Sequence, residues 1–349
     1  MKNLLVIAQR VDETDDLRGF FVGWLREFSR HFNKVFVITI GKGNYNLPSN
    51  VFIYSLGYEI GASKIKKFRR FYKYLFRLTP KSQAIFAHMS PIFVILSWPA
   101  AKIFRKKIIL WYSHRKTSFK LRAAAFLSDK ILTSSESSLT LRTSKKIVTG
   151  HGIDTDYFKL KPQEDVFDKS KIWRITSIGR ISPIKDYITI IKTMSILKKK
   201  GYNVKLKIIG RPIYPKDGQY LQQLKDLINS LKLQKNVDIL DYIPYNQLPP
   251  VYQETDILIN GSPTGGLDKV VLEAMASGVV IFVANKGFAQ DLGSYQDKFI
   301  FQWNDPADLS NKIELYLKNP ISIGPFLRSQ VIKRHNIQNI LNNLAAIMG

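Results

Sequence analysis

The sequence predicts an α/β fold with two doubly wound parallel-sheet domains. Short apolar segments of strand length alternate with longer amphipathic helical segments along nearly the whole chain. Continuous apolar strands separated by helices are typical of a parallel sheet that is covered on both faces. The polar stretch Lys159–Trp173 interrupts the alternation, and a chain of 349 residues is long for a single core. We therefore predict two domains joined by a central linker.

The strand pattern sets the expected domain limits. The first series of predicted strands is Asn3–Ala8, Lys34–Ile40, Ala84–Ala87, Lys107–Ser113, Lys130–Ser134 and Lys146–Gly150. The second series is Trp173–Gly179, Val204–Gly210, Val237–Leu240, Asp256–Asn260 and Val279–Ala284. We predict a first domain over residues 1–165, a second over 166–325, and a C-terminal helix at 326–349 that packs back toward the first domain. The ligand cleft is expected between the domains, at the carboxyl ends of the strands.

Composition limits the class of protein and of partner. Lys and Arg number 53 against 27 for Asp and Glu, a formal net charge of +26 that favours nucleic acid, acidic membranes or phosphorylated substrates as partners. The chain has no cysteine, which excludes a disulfide framework and a thiolate metal site. The N-terminal apolar run is too short for a signal peptide, and the longest apolar run, from Pro91, falls short of a bilayer span. We expect a cytoplasmic protein that could still lie on a membrane surface.

The stretch Thr264–Gly278 (TGGLDKVVLEAMASG) joins a predicted strand to a helix through a glycine-rich turn. Such a turn lets the backbone approach a ligand closely and directs free N–H groups and the positive helix end at an anion. Asp268 is expected to cap the helix. Glu273 lies among apolar residues, where a carboxylate is costly unless hydrogen bonds satisfy it, and the hydroxyls of a ribose are suitable partners. Alternatively, Glu273 lies on an exposed helix face or pairs with a nearby lysine.

The stretch Ser177–Asp186 (SIGRISPIKD) places two cations after a predicted strand that ends at Gly179. Arg180 offers a fork of donors and Lys185 a point charge, so together they can clamp a diphosphate. The same cations would stabilise the charge that grows on a departing diphosphate. The alternative is that both are ordinary solvated cations.

Two features of the first half could contribute to a site. His114 follows directly on a predicted apolar strand, so we expect it at a carboxyl edge of the sheet, facing the cleft. The carboxylates of Asp12–Asp16 lie in the first strand–helix loop, where they could orient an acceptor. A structural histidine and a plain solvated loop are the respective alternatives.

In combination, these segments resemble the glycosyltransferases of family 4, which are retaining enzymes with the two-domain GT-B architecture. The resemblance covers essentially the full length. Ile147–Phe158 resembles the family's interdomain segment, with His151 where asparagine is usual. Ser177–Asp186 resembles its glycine-arginine…lysine signature, and Asn236–Phe282 resembles its base- and donor-binding block in order and spacing. The resemblance implies two Rossmann-like domains that face each other across a cleft.

The resemblance also implies roles for individual residues. Arg180 and Lys185 would bind the diphosphate of a nucleotide-sugar and act in catalysis, and Glu273 would bind the ribose. His114 would line the reaction centre. The other implied donor-site residues are Gly179, Gly265, Gly266, Leu267, Asp268 and Lys269, Gly19 at the start of the first long helix, and Tyr242, Ile243 and Pro244 beside the base.

The chain departs from the family at one position. The family typically carries two glutamates eight positions apart in this block, and the position eight before Glu273 is Gly265. In the family the first glutamate contacts a hydroxyl of the donor sugar, so its replacement bears on the donor and on activity. Asp268, in the same turn, could partly substitute. A nucleotide-sugar epimerase and a catalytically repurposed GT-B protein therefore stand as alternatives to a transferase.

The expected reaction follows from the retaining character that the resemblance implies. The acceptor hydroxyl would attack on the face that the nucleotide diphosphate leaves, and the departing phosphate would take up its proton. We expect neither a metal nor a cofactor, with the nucleotide-diphosphate sugar as co-substrate. The expected acceptor is a glycan, on a lipid carrier or as a cell-surface precursor.

The segment Lys64–Arg77 (KIKKFRRFYKYLFR) carries seven cations and no acid. Written as a helix, it places Ile65, Phe68, Tyr72 and Leu75 on one stripe, which suits an anionic membrane surface. The same stripe could instead pack on the first sheet, and both can hold. A nucleic-acid-binding protein is the third class considered; we rank it last because no known module or stacking platform is present.

Overall fold

Parallel strands form two separate sheets in the computed structural model, which describes residues 2–162 and 172–348. The first unit comprises Met1–Asp154, Pro244–Asn246 and Arg334–Gly349. The second unit comprises Thr155–Ile243 and Gln247–Lys333. The predicted α/β fold class, with two parallel sheets and helices between their strands, is confirmed.

The limits of the units differ from the predicted domain limits. The predicted boundary between residues 165 and 166 lies outside the described residues, and the units divide at Asp154 and Thr155 instead. The predicted C-terminal segment, 326–349, is shared between the units: residues up to Lys333 group with the second unit and those from Arg334 with the first.

Seven strands form the sheet of the first unit, in the order β3-β2-β1-β4-β5-β6-β7, with every pair parallel. They are β1 (Leu4–Val11), β2 (Val35–Lys42), β3 (Val51–Ser55), β4 (Ala84–His88), β5 (Lys107–Trp111), β6 (Lys130–Thr133) and β7 (Lys146–Val148). The helices between these strands are α1 (Phe20–His31), α2 (Lys64–Leu78), α3 (Pro91–Ile103) and α4 (Phe119–Leu127). The sequence prediction missed β3. This strand pairs on one side only and none of its residues is buried, so it lacks the buried character of the other strands.

The first sheet is covered on both faces, as its strand composition predicted. Successive residues of a strand point to opposite faces. Leu4 and Val6 accordingly lie in one core cluster and Leu5 and Ile7 in another. The first cluster contains residues of α1 and of the C-terminal helix, whereas the second contains residues of α2, α3 and α4. Helices α2, α3 and α4 thus form one layer on a single face of the sheet.

Five parallel strands form the sheet of the second unit, in the order β10-β9-β8-β11-β12. They are β8 (Trp173–Ile178), β9 (Val204–Ile209), β10 (Val237–Leu240), β11 (Ile257–Asn260) and β12 (Val280–Val283). The later helices of the chain are α5 (Tyr187–Lys199), α6 (Pro215–Ser230), α7 (Leu248–Glu254), α8 (Lys269–Ala276), α9 (Ala289–Leu292), α10 (Gln296–Phe299), α11 (Pro306–Lys318), α12 (Gly324–His335) and α13 (Ile337–Met348).

The longest apolar run of the sequence is a helix of the first unit. It forms α3, which continues through Pro99 and buries Phe93, Val94 and Ala100 against the sheet. Within residues 2–162 and 172–348, no helix combines the length and the apolar character that crossing a bilayer requires.

Candidate functional site

Two strand ends of the second unit approach each other at glycines. Gly179 follows β8 and Gly210 follows β9. A Cβ atom on Gly210 would lie 2.0 Å from the carbonyl oxygen of Gly179, so a side chain at this position would force the two strand ends apart. The backbone N–H of Ile181 donates to the carbonyl oxygen of Arg211 at 3.1 Å and joins the two loops. Glycine is therefore required here for close packing of the loops that carry the first basic residues of the site.

Arg180 lies in the first of these loops, and its guanidinium contacts an aromatic ring and a hydroxyl. Its Cζ atom lies 5.2 Å from the centre of the Tyr214 ring, a cation–π distance, and its Nε donates to Ser182 Oγ at 3.4 Å. Of the carboxylates in the part of the chain that the structure describes, none forms an ion pair with Arg180. The guanidinium is held by an aromatic ring and a hydroxyl, neither of which neutralises it.

Lys185 differs from Arg180 because a carboxylate neutralises it. Its Nζ donates to Oδ2 of Asp268 at 2.7 Å, and the same oxygen accepts from Asn260 Nδ2 at 2.9 Å. Burial opposes ionisation of Asp268, but the Lys185 ammonium and these hydrogen bonds hold the net pKa of the carboxyl below its ordinary value. The ion pair fixes the position of the Lys185 ammonium and cancels much of its charge.

Asp268 is the N-cap residue of α8, as the sequence predicted, but it caps the helix through its backbone only. Asp268 occupies the N-cap position by its backbone, but its side chain makes no capping hydrogen bond. The side-chain carboxylate accepts from Lys185 instead, because a partly buried ammonium is a stronger partner than a backbone N–H. Lys185 also precedes Asp186, which has a left-handed backbone and itself caps α5 by accepting from Thr189.

Glu273 is buried in α8 and hydrogen-bonded. It is 2% exposed, which excludes the alternative of an exposed helix face. Its Oε2 accepts from the hydroxyl of Tyr252, a fully buried residue of α7, at 2.8 Å. Burial raises the pKa of Glu273, whereas the Tyr252 hydrogen bond and the Lys269 charge one helical turn earlier lower it. The net effect is a pKa of Glu273 above its ordinary value.

Lys269 shares the low-polarity surroundings of Glu273. Burial lowers the pKa of its ammonium, and the Glu273 carboxylate opposes that change. The sequence analysis considered that Glu273 pairs with a nearby lysine. This holds in part, because the charges of Lys269 and Glu273 interact along one helix face. In addition to this electrostatic interaction, the Tyr252 hydroxyl donates a direct hydrogen bond to Glu273.

The glycine turn before α8 has a backbone that favours glycine. Gly265 has φ of +116°, and nothing lies within 4 Å of the position that its Cβ would take. A side chain at this position would therefore meet conformational strain without any steric obstacle. Gly266 accepts a hydrogen bond from Asn285 Nδ2 at 3.4 Å, and Leu267 is buried. The backbone at Gly265 therefore favours glycine over any residue with a side chain.

Arg211 is a site candidate that the sequence analysis missed. It follows Gly210 at the carboxyl end of β9, and its Cζ atom lies 4.3 Å from the centre of the Tyr242 ring. Tyr242 and Ile243 follow β10, the next strand, and Pro244 groups with the first unit. The signal was present in the sequence, because Ile-Gly-Arg occurs at the end of β8 and again at the end of β9.

Gly19 and His114 belong to the first unit, after the carboxyl ends of β1 and β5. A Cβ atom on Gly19 would lie 2.8 Å from the carbonyl oxygen of Glu13, so the loop before α1 packs closely only with glycine. His114 is exposed, and its Nδ1 accepts from the backbone N–H of Lys116 at 3.0 Å. The structure therefore brings the predicted residues of the second unit to one sheet edge, whereas these two lie on the other sheet.

The acidic loop of the first unit is more ordered than a plain solvated loop. Asp12 is buried, and its carboxylate accepts from the backbone N–H of Thr14 at 3.0 Å and from Nη2 of Arg10 at 2.8 Å. Burial opposes ionisation of Asp12, but these partners hold the net pKa below its ordinary value. Within the described ranges, no three His, Asp or Glu side chains gather as a metal site would require.

Comparisons with known proteins agree with this architecture. Residues 159–337, slightly more than half of the chain, match the family model of the glycosyl transferases group 1. An uncharacterized glycosyltransferase of Haemophilus influenzae is 28% identical over 225 residues, 61% of each chain. Mannosylfructose-phosphate synthase of Agrobacterium fabrum is 27% identical over 136 residues, 38% of this chain and 30% of its own. The matches thus span about three fifths and under one third of these relatives.

Solved structures of low sequence identity share the fold. HepE of Anabaena, in a crystal structure with UDP and glucose, has a TM-score of 0.76 at 16% identity, with 100% of this chain and 99% of that chain covered. Sucrose-phosphate synthase of Thermosynechococcus elongatus has a TM-score of 0.71 at 14% identity, with 99% and 98% covered. The strand order, the basic strand ends and the family match lead to one assignment: the chain belongs to the glycosyl transferases group 1 family.

Proposed function

We propose that this protein transfers a sugar from a nucleotide-diphosphate sugar to a hydroxyl acceptor. The observation that carries the proposal is the edge of the second sheet, where Arg180 retains its charge beside the ion pair of Lys185 and Asp268. A diphosphate is the ligand that such an edge suits, because Arg binds phosphate oxygens through several N–H donors. HepE, which shares the fold, binds UDP and UDP-glucose, so uridine is the first base to test.

The proposed donor contacts follow from the side chains at this edge. Arg180 binds the diphosphate, and Arg211 on the adjacent strand end adds a second guanidinium, with Tyr242 beside the base. Glu273 binds the ribose hydroxyls, because one of its oxygens accepts from Tyr252 and a buried carboxylate is a strong acceptor. Backbone N–H groups near Leu267 and Asp268 face the donor sugar and phosphates.

Lys185 has a different role in this proposal from that of Arg180. Asp268 and Asn260 hold its ammonium in place, so it serves as a fixed partner of the donor phosphates. Its charge is partly cancelled, and the main stabilisation of the leaving diphosphate comes from the guanidinium of Arg180. This division of roles can be tested, because removal of Arg180 should then weaken transfer more than removal of Lys185.

The proposed reaction is retaining and uses neither a metal nor a cofactor. The acceptor hydroxyl forms a bond to the anomeric carbon on the face from which the bond to the diphosphate breaks. The departing phosphate oxygen takes up the hydroxyl proton, so the products are the glycoside and the nucleoside diphosphate. Arg180 and the backbone N–H groups at the start of α8 stabilise the charge on the leaving group. His114 lines the reaction centre near the transferred sugar, and Gly19 lies near the donor phosphates and the acceptor.

The proposed acceptor is a lipid-linked or cell-surface glycan precursor at the cytoplasmic face of a membrane. Support comes from the charge of the first unit, since Lys64–Arg77 carries seven cations and no acid and forms helix α2 with the residue that follows. Anionic lipids attract such a segment. A catalytically repurposed protein is the second candidate, because a glutamate at position 265 could adopt the backbone conformation of Gly265 only with strain.

The experiment that tests the proposal is a thermal-shift panel of nucleoside diphosphates and nucleotide-sugars. The wild-type chain, Arg180→Ala and Lys225→Ala are compared, the last being a control at an exposed lysine of α6. We expect one nucleotide to stabilise the wild type and Lys225→Ala but not Arg180→Ala. Absence of any nucleotide effect would contradict donor binding at this edge.

A second measurement separates transfer from the other chemistries. Free nucleoside diphosphate is measured with the donor alone and with a glycan acceptor. A transferase releases it only when the acceptor is present. An epimerase changes the sugar without net release, and a repurposed protein binds the donor and changes nothing.

A further inference from the structure

Three neighbouring helices of the first unit form a single outer surface. Leu75 of α2, Val94 of α3 and Ala124 of α4 are buried in the same core cluster, and α3 contacts both α2 and α4. Each helix therefore has an inner side on the sheet and an outer side that faces away from it. We call the outer side of α2, α3 and α4 the outer helical face.

Helix α2 has apolar side chains on two sides, and the stripe predicted from the sequence is divided between them. Phe71, Leu75 and Leu78 face the sheet. Ile65 is 74% exposed and Phe68 is 54% exposed, whereas Leu75 of the same predicted stripe is fully buried. Seven positions separate Phe71 from Leu78 and three separate Ile65 from Phe68, so each pair lies on one helix side. The core uses one stripe, and the second remains on the outer helical face.

The exposed rings of α2 connect to α3 through half-buried rings. The ring centres of Phe68 and Tyr72 are 4.8 Å apart, and those of Tyr72 and Phe76 are 6.2 Å apart. Phe76 in turn lies 6.1 Å from Phe104, the residue that follows α3. Aromatic rings in a row across two helices make one ridge, which distinguishes this surface from singly scattered apolar residues.

Helix α4 adds two of the most exposed aromatic side chains of the described chain. Phe119 is 85% exposed and Phe126 is 82% exposed, and their spacing of seven places them on one side of the helix. On α3, Trp98 and Ile103 are also exposed. A phenylalanine that projects into water in this way loses favourable transfer energy unless an apolar environment receives it.

The same surface has a single sign of charge. Residues 60–128 contain 16 Lys and Arg and no Asp or Glu, in a chain whose net charge is +26. Six of these cations lie on α2 before Leu75, and Lys102, Lys120 and Arg122 lie on α3 and α4. Cations that surround projecting aromatic and aliphatic side chains are the pattern of a surface that lies in an anionic bilayer interface.

We propose that the outer helical face docks on an anionic phospholipid bilayer. Phe119 and Phe126 of α4, with Ile65 and Phe68 of α2, enter the boundary between headgroups and acyl chains, while the cations contact lipid phosphates. Nucleic acid fits less well, because phosphate binding alone gives no reason for exposed isoleucine beside phenylalanine. The inference rests on the membrane location in the proposed function, but not on the proposed chemistry.

Vesicle co-sedimentation of the full chain tests the proposal. Vesicles of phosphatidylcholine with phosphatidylglycerol are compared with vesicles of phosphatidylcholine alone. The variants are the double variant Phe119→Ser with Phe126→Ser, and Leu315→Ser as a matched control, since Leu315 of the second unit is 66% exposed. The three substituted side chains lie outside the core, and circular dichroism verifies that each variant is folded.

We expect the wild type and Leu315→Ser to bind the anionic vesicles and to release them as salt rises. The double variant should bind at least about tenfold more weakly at every salt concentration, because it loses two apolar side chains that enter the bilayer. Equal binding by the double variant would overturn the proposal, as would absence of binding to anionic vesicles. Oligonucleotide binding that the double variant retains, without vesicle binding, would assign the face to nucleic acid instead.

Fluorescence of Trp98 gives a second readout, independent of affinity. Subtracting the emission spectrum of Trp98→Phe from that of the wild type gives the emission of Trp98. Its maximum should shift to shorter wavelength on vesicle binding, because Trp98 lies on the outer helical face and enters a less polar environment. An unchanged difference spectrum on bound vesicles would contradict this orientation. The thermal shift by nucleotide should be the same in the double variant and the wild type. Failure of donor binding would therefore be seen separately from failure of membrane docking.

Discussion

The hydrogen bond between Tyr252 and Glu273 supports a prediction about stability and its pH dependence. Tyr252→Phe retains the ring, which packs against Phe158 with ring centres 5.6 Å apart, and removes only the hydroxyl. That hydroxyl donates to the Glu273 carboxylate at 2.8 Å, and both side chains are buried. A hydrogen bond to a charged group contributes about 1.5–3 kcal/mol, and one between neutral groups about 0.5–1.5 kcal/mol.

The loss should depend on pH because burial raises the pKa of Glu273. Between the ordinary carboxyl pKa and this raised value, the folded protein holds a proton that the unfolded chain has released. Stability of the second unit therefore falls as pH rises through that window. Tyr252→Phe removes a partner that lowers the pKa of Glu273, so it penalises the ionised form most. The cost should be about 1.5–3 kcal/mol at pH 8 and about 0.5–1.5 kcal/mol at pH 5.

Differential scanning calorimetry at the two pH values measures this difference. For a unit of this size, about 2–4 °C of Tm corresponds to 1 kcal/mol, so we expect Tm to fall by about 3–12 °C at pH 8. Tyr187→Phe is the matched control, because the buried Tyr187 hydroxyl donates to the neutral carbonyl of Gly179 at 2.8 Å. The fall in Tm caused by Tyr187→Phe should be the same at both pH values. An equal loss at both pH values in Tyr252→Phe would refute an ionised, buried Glu273.

Further predictions concern donor binding, the glycine turn and the C-terminal helix. Arg180→Ala should weaken nucleotide binding about 10- to 100-fold in calorimetric titration without changing Tm, and Arg211→Ala should weaken it less. Gly265→Ala should cost about 1–3 kcal/mol, because φ of +116° disfavours a side chain, and a Tm equal to that of the wild type would show that this turn tolerates one. Leu344→Ala should destabilise the first unit by about 2–5 kcal/mol in urea unfolding, since Leu344 is fully buried in its core; an unchanged midpoint would contradict the packing of α13.

The sequence was sufficient for the fold because the strand signal is strong. Strands such as β11 and β12 are apolar runs flanked by glycine or polar residues, and the parallel sheet requires both of their faces to be buried. The edge strand β3 was missed, because pairing on one side leaves its residues partly exposed. Periodicity left the orientation of α2 open, because a helix with apolar side chains on two sides does not show which of them the core uses.

The local sequence points to candidate residues of the site but not to their partners. Glycine turns and basic strand ends identified Arg180 and Lys185 from local sequence. The partner of Lys185 is Asp268, 83 positions later, and no local pattern indicates that contact. The same holds for Tyr252 and Glu273, which lie 21 positions apart on different helices. Long-range pairing decides which charges are cancelled, and the sequence alone does not show it.

Helix α13 has a consequence for the order in which the chain can fold during synthesis. Ile340 and Leu344 are fully buried against the strands of the first sheet, in the same core cluster as Leu4 and Val6. A ribosome therefore delivers the first strand at the beginning and the last part of that core some 330 residues later. Until then, the apolar surface that α13 covers stays exposed on the nascent chain, while all residues of the second unit have already been made. We expect the second unit to fold first and the first unit to depend on chaperones during translation.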